Sequence, residues 1–340
     1  VNVNVKAKRR VAVSEAPRQE SANEAGAKEA AGAAEGGAAE PALPAEGRLV
    51  LAEHLPRSVF SRIEIPGEPY FPCNPSVAAH PSGRLGCMVR TVNYELGEED
   101  GIWFRGDPAP NTRNYFVEIG ADLKPGKPVA IDDRTQREMR LPCEHGLEDA
   151  RLFWWRDAWW FTASGLHHGA RVRTTMALCR LNGNRVDFLE FLPSPHSRHM
   201  EKNWMPHVNG DRLSVVYTHC PAESYELAPN RRRLWLGDGA SLSGWSGGSQ
   251  ILPFGEDLIG VVHQRRKHRN RVYYAHRLVR YGNSLEPLHA GREFYFFGEQ
   301  IEFCSGLAQH GDGYVMSFGV KDREAWLVSL TKNQVAQILA

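Results

Sequence analysis

From about Arg48 onward, short runs rich in Val, Ile, Phe, Trp and Tyr alternate with turn pairs containing Gly, Asn, Asp or Pro. That is the pattern of β-strands joined by tight turns. Residues 152–156 and 159–163 flank Asp157-Ala158, and residues 206–208 and 213–218 flank Asn209-Gly210-Asp211. Helical periodicity is confined to residues 333–339.

The pattern recurs five times as a small or polar cluster, an apolar strand, a tight turn and a second apolar strand. The units open at Asn74-Pro75-Ser76-Val77, Glu148-Asp149-Ala150-Arg151, Lys202-Asn203-Trp204-Met205, Gly248-Ser249-Gln250 and Phe303-Cys304-Ser305-Gly306. Their second strands end at Arg90, Ser164, Thr218, His263 and Phe318. Successive units begin about 46–74 residues apart, within or above the spacing of propeller blades. The expectation is an all-β chain forming a five-bladed β-propeller over residues 47–340. A sandwich or jelly roll would not explain why the polar clusters recur in phase. In a propeller the innermost strand of each blade lines the axial channel, so clusters distant in sequence converge on one pocket.

Residues 1–46 differ. A basic start (Lys6, Lys8, Arg9, Arg10) is followed by a tract of Ala, Glu and Gly almost without large apolar side chains. Such a tract does not offset the entropy of ordering itself, so a disordered linker or tail is expected. The chain begins at Val1, which leaves room for an upstream domain joined through residues 1–46.

Composition narrows the partners. Basic residues number 41 against 40 acidic ones, a balance that argues against nucleic acid. No apolar run reaches the roughly 18–20 residues of a membrane span. Six cysteines (Cys73, Cys87, Cys143, Cys179, Cys220, Cys304) are scattered without a CxxC pair. They read as reduced thiols of a cytoplasmic protein, with no metal site. His167-His168 lacks an evident third ligand.

Each polar cluster brings a different group. Glu148-Asp149 places paired carboxylates at the head of a strand, and an acid there can protonate a departing glycosidic oxygen. Lys202-Asn203 adds a cation and an amide. Arg90 and His263 end second strands, Arg151 follows the carboxylates, and Asp322 follows the strand 315–319. Taken singly, each is an ordinary loop or core residue; repetition at equivalent positions gives them weight. Trp204 beside Lys202-Asn203 is a candidate sugar platform, whereas Trp154-Trp155 and Trp159-Trp160 read as packing between blades. The run from Arg265 to Arg271 is either a solvated hairpin loop or a basic rim that attracts an anionic donor or acceptor.

In order, these motifs resemble glycoside hydrolase family 130, the β-mannoside phosphorylases, and related five-bladed mannosyltransferases. The family's Glu-Asp-Pro-Arg motif is resembled by Glu148-Asp149-Ala150-Arg151, with Ala150 in place of proline, and its Lys-Asn motif by Lys202-Asn203. Asn74-Pro75 and Arg90 resemble the family's first blade, and Gly247-Gly248-Ser249 with Val262-His263-Gln264 its fourth. Gly319-Val320-Lys321-Asp322 resembles the close of its fifth. The resemblance implies Asp149 as the catalytic acid, and Asn74, Glu148, Asn203, Trp204, Ser249 and Asp322 around the sugar. It also implies an anion site from Arg90, Arg151, Lys202 and His263. The expected substrate is an oligosaccharide or glycan, β-mannosides or related sugars. Inorganic phosphate, a sugar phosphate or a nucleotide sugar is expected as co-substrate, with no further cofactor. A hydrolase of the same fold would need a second channel carboxylate, Glu302 or Asp322. A non-catalytic glycan-binding propeller would bind sugar without turnover.

Overall fold

The strands foreseen at the five polar clusters are present in the computed structural model of the chain, which describes residues 49–96, 102–105, 111–135, 146–167, 173–268 and 271–340. The tract 1–46, Cys143, His168 and Arg269-Asn270 of the basic run lie outside the described residues.

Four sheets are four-stranded antiparallel meanders. The first contains Phe71–Ala79, Leu85–Val92, Thr112–Ile119 and Val129–Ala130; the second contains Leu147–Trp155, Ala158–His167, Arg173–Asn182 and Arg185–Phe191. The third contains Met205–Asn209, Arg212–His219, Ala222–Ala228 and Arg232–Gly237. What we call the fourth sheet is seven-stranded and centred on the long hairpin of Asp257–His268 with Arg271–Tyr281. The fifth contains Glu302–His310, Gly313–Val320, Glu324–Thr331 and, as its outer strand, Phe60–Ile63 from near the start of the described chain. Leu49–Val50 likewise pairs with Phe294–Tyr295 of the fourth sheet. Both additions tie early residues to late ones. A terminal helix, Lys332–Leu339, is closed by a capping box between Thr331 and Gln334 and buries Val335, Ile338 and Leu339. Among the described residues no helix is long and apolar enough to cross a membrane.

Apolar residues on alternate strand positions fill the spaces between neighbouring sheets, giving a propeller-like arrangement. Met88 of the first sheet meets Leu152 and Phe161 of the second; Trp155 and Trp160 of the second meet Val215 and Tyr217 of the third. Met205 and Val216 pack on Val262 and Ala275 of the fourth, whose Ile259 and Leu278 pack on Met316 and Val328 of the fifth. The fifth, through Ala308 and Val315, packs on Val77 and Cys87 of the first. The tryptophan pairs follow the same alternation. Trp155 and Trp160 pack together at 4.9 Å on one face of the second sheet, while Trp154 and Trp159 contact each other at 5.2 Å and reach His80 of the first sheet.

Small polar side chains and a backbone bond join the inner strands. Ser76 Oγ accepts from Leu152 N at 2.9 Å, Ser305 Oγ donates to Pro75 O at 2.9 Å, and Ile251 N donates to Pro206 O at 2.8 Å. Gln250, 2% exposed, donates to the carbonyls of Val77 and Leu152 and accepts from Leu307 N at 2.9 Å, so one amide ties four inner segments. The basic run is not a loop over residues 265–268: Arg265 pairs with Tyr274 and Lys267 with Val272, continuing the ladder. Arg266 is held by both oxygens of Glu293, at 2.7 and 2.6 Å.

Candidate functional site

The polar clusters meet at one mouth of the arrangement, where inner strands begin and second strands end. Backbone irregularity puts them there. In the first sheet Asn74-Pro75 stand opposite the single residue Val89, and in the second Asp149-Ala150 stand opposite Ala163. Each is a β-bulge, which bends a strand and re-aims a side chain. Asn74 and Asp149 hold the left-handed conformation there (φ 42° and 50°), as do Asn203 (62°) and Asp322 (51°). Asn and Asp are the non-glycine residues that adopt it most readily, which accounts for their choice at the two bulges, just before the third sheet's inner strand and in the turn after the fifth sheet's second strand. Asn74 lies against Gly319, where a Cβ would stand 2.5 Å from its Oδ1.

At the centre is Arg90, 4% exposed. Its Nη1 donates to Asp149 Oδ1 at 3.0 Å and its Nη2 pairs with Glu148 Oε1 at 2.9 Å. Thr112 Oγ1 accepts from its Nε at 2.8 Å and the Tyr94 hydroxyl from Nη2 at 3.3 Å. Asn74 Nδ2 adds a 2.9 Å bond to Asp149 Oδ1. Arg151, 1% exposed, donates to the carbonyls of Asp149 and Gly248 and to Asn203 Oδ1 at 3.2 Å, with its guanidinium over the Phe303 ring. Lys202 is exposed and close enough to act on the charges of Asp149 and His263. Of the five N–H donors in each guanidinium, the named bonds occupy four on Arg90 and three on Arg151.

Two carboxylates of the mouth differ in their affinity for a proton. Burial pushes Asp149 up, but Arg90, Arg151, the Asn74 bond and Lys202 together hold it below its ordinary value, so it is ionised. Asp322 is pushed up to about 6, by burial and then by Asp149 and Glu148, with Arg90 opposing. Burial, with His276, Arg151 and Lys202, drives His263 well below its ordinary value, so it presents a neutral imidazole rather than a cation. His263 Nδ1 and Asn74 Oδ1 are buried and have no hydrogen-bond partner among the described residues.

Three candidates sit elsewhere. Trp204 is 1% exposed, edge-on to Tyr217, with Nε1 bonded to Glu201 at 3.1 Å; it belongs to the packing between the second and third sheets and offers no open face. Ser249, fully buried, bonds to Gln250 O and Val261 N and serves the inner strands. Glu302 is fully buried too, accepting from the backbone of Phe296, Phe297 and Glu299, which makes it a loop staple. Tyr94 and Tyr274 were not foreseen. Tyr94 touches Arg90, and Tyr274 packs at 5.4 Å on His263 while feeling the charge of Asp322. The only sequence signal for Tyr94 is its place four residues after Arg90.

The fold and its mouth define a class: an all-β, propeller-like protein with a carboxylate and guanidinium pocket where the inner strands begin. Solved structures share that fold. One is a glycosyl hydrolase from Bacteroides ovatus, with TM-score 0.54 and 13% identity, covering 82% of this chain and 92% of that one. Another is the β-1,2-mannobiose phosphorylase of Listeria innocua, with TM-score 0.52 and 13% identity, covering 83% and 93%. A third is a GDP-Man-dependent mannosyltransferase of Leishmania mexicana, with TM-score 0.51 and 13% identity, covering 77% and 85%. No family model and no curated protein sequence matches the chain.

Proposed function

We propose that the protein is an inverting carbohydrate-active enzyme that transfers a mannosyl or related glycosyl group between phosphate and a sugar hydroxyl. We further infer that the seven-stranded fourth sheet is a blade like the other four, which makes the arrangement a five-bladed propeller. The five interfacial cores, the last joining the fifth sheet to the first, support that count. The observation that carries the functional reading is the convergence of Asp149 with Arg90, Arg151 and Lys202 beside the unpartnered Asn74 Oδ1 and His263 Nδ1.

In phosphorolysis a phosphate oxygen attacks the anomeric carbon as its bond to the glycosidic oxygen breaks. The proton of Asp149 goes to that departing oxygen, leaving a free hydroxyl and an α-glycosyl phosphate. In the synthetic direction an acceptor hydroxyl attacks the anomeric carbon of a phosphate-linked donor, the bond to the phosphate oxygen breaks and the phosphate departs, and ionised Asp149 takes the hydroxyl's proton. The resting charge of Asp149 suits the second direction directly. It suits the first once a phosphate dianion beside Lys202 and Arg151 offsets their field and raises the carboxylate's proton affinity. The shared fold of mannoside phosphorylases and a mannosyltransferase supports the choice of sugar and of phosphate chemistry.

A hydrolytic reading is favoured by one observation, the divergence of Asp322 and Asp149, which would let a protonated Asp322 act as acid and Asp149 as base for water. One assay separates the two: purified protein with mannose 1-phosphate or GDP-mannose and a mannoside acceptor, and with mannosides in the presence and absence of phosphate. Transfer or phosphate-dependent cleavage is expected, reduced at least about 10²-fold in Asp149→Asn. Phosphate-independent sugar release supports the hydrolase, and equal rates for wild type and Asp149→Asn remove Asp149 from the chemistry. Asn at 149 retains the tolerance for a left-handed backbone, which keeps that comparison clean.

A further inference from the structure

Beside the central mouth lies a second cleft of about 490 Å³, a volume suited to a small ligand. It is walled by Arg57, Arg62, Phe71, Trp326 and the turn carrying Lys321 and Arg323. The two hollows adjoin through that turn, since Lys321 and Arg323 bracket Asp322, and through Phe71, three residues before Asn74. Four cations face two carboxylates across it. Glu299 takes Lys321 at 2.7 Å and Glu324 lies 3.5 Å from Arg62. Among the described residues the one ion pair of Arg323 is a 3.7 Å contact with Glu95, which Arg105 approaches more closely, at 3.2 Å. Arg57 has no ion pair among the described residues; its guanidinium lies over the rings of Trp326 at 4.5 Å and Phe297 at 5.6 Å.

Stacking decides what this cleft can take. A guanidinium held against a ring keeps its in-plane N–H fork free, which is the geometry that receives a phosphate or carboxylate. The aromatic rings are themselves used in this way. Trp326 carries Arg57 and Arg62, and Phe71 carries Arg105 at 3.6 Å and Arg323 at 5.3 Å. They order arginines instead of offering platforms to a base or a neutral sugar ring.

We propose that this cleft is an oxyanion subsite, which selects glycans bearing a phosphate or carboxylate next to the sugar handled in the central mouth. The proposal rests on the reading of that mouth as a glycan site, and its test reads binding, not turnover. Calorimetry on the full chain would compare mannose 6-phosphate, a glucuronate-bearing disaccharide and neutral mannobiose. At least one charged probe is expected to bind about tenfold or more tightly than mannobiose, and the tighter of the two identifies the anion. The exposed-surface double variant Arg57→Gln/Arg323→Gln should abolish that preference, while Lys202→Gln in the central mouth keeps it. Equal binding of charged and neutral probes overturns the proposal, as does a preference that survives the double variant or disappears with Lys202→Gln. If the preference is present but no mannoside is turned over with phosphate, the central reading fails and the oxyanion subsite stands.

Discussion

Replacing Arg90 by Met removes a cation that contacts both Glu148 and Asp149. Arg90 is buried, and the two carboxylates keep only 28% and 22% of their side-chain surface in water. Breaking a fully buried ion pair costs about 3–5 kcal/mol, and the residual exposure of the acids puts this case near ~3 kcal/mol. With an unfolding entropy of ~2.1 cal/mol/K per residue, that lowers the melting temperature of a domain this long by about 5 °C. The pH dependence is the sharper signature. In the wild type Asp149 titrates below its ordinary value, so its stabilising contribution is present at neutral pH and is lost only as pH falls through that depressed value. Without Arg90, Asp149 and Asp322 both titrate higher. The native state then takes up protons that the unfolded chain does not, and its stability rises as pH falls. The deficit of Arg90→Met in urea melts should therefore be widest near pH 8 and narrower at pH 5. An unchanged melting point, or a deficit equal at both pH values, refutes the reasoning.

Two further substitutions test separate parts of the account. Gln250→Leu leaves two carbonyls and the Leu307 amide unpaired between inner strands, an expected loss of about 3 kcal/mol in urea unfolding; an unmoved midpoint contradicts the role given to this amide. Gly319→Ala forces its Cβ to within 2.5 Å of Asn74 Oδ1 and displaces the group that orients Asp149. Its kcat/KM should fall about tenfold or more, with a lowered melting temperature because the same Cβ would stand 2.6 Å from the backbone nitrogen of Asn74, and wild-type kcat/KM would show that Asn74 does not position the acid.

The inner two strands of each sheet were legible because a hairpin writes both strands and its turn into neighbouring residues. Residues 152–156 and 159–163 are that case, with the turn falling one residue earlier, at Arg156-Asp157. The outer strand Phe60–Ile63 was not legible, since its partner lies more than 250 residues away and no local pattern announces the pairing. At the mouth, phase alone brought Asn74, Asp149, Arg90, Arg151 and Asn203 together. Trp204 and Ser249 share that phase yet face the packing and the inner strands, because side-chain direction depends on bulges that composition does not reveal. Formal charge was also a poor guide. Counted from residue types the pocket sets four cations (Arg90, Arg151, Lys202 and His263) against three carboxylates (Glu148, Asp149 and Asp322), whereas burial neutralises His263 and pushes Asp322 up to about 6.

Phosphorus and proton NMR of the wild-type protein incubated with a β-mannoside and inorganic phosphate addresses the central claim directly. The account predicts accumulation of α-mannose 1-phosphate in step with the free acceptor sugar, and no release of sugar when phosphate is withheld. Free mannose appearing at the same rate with or without phosphate would contradict it.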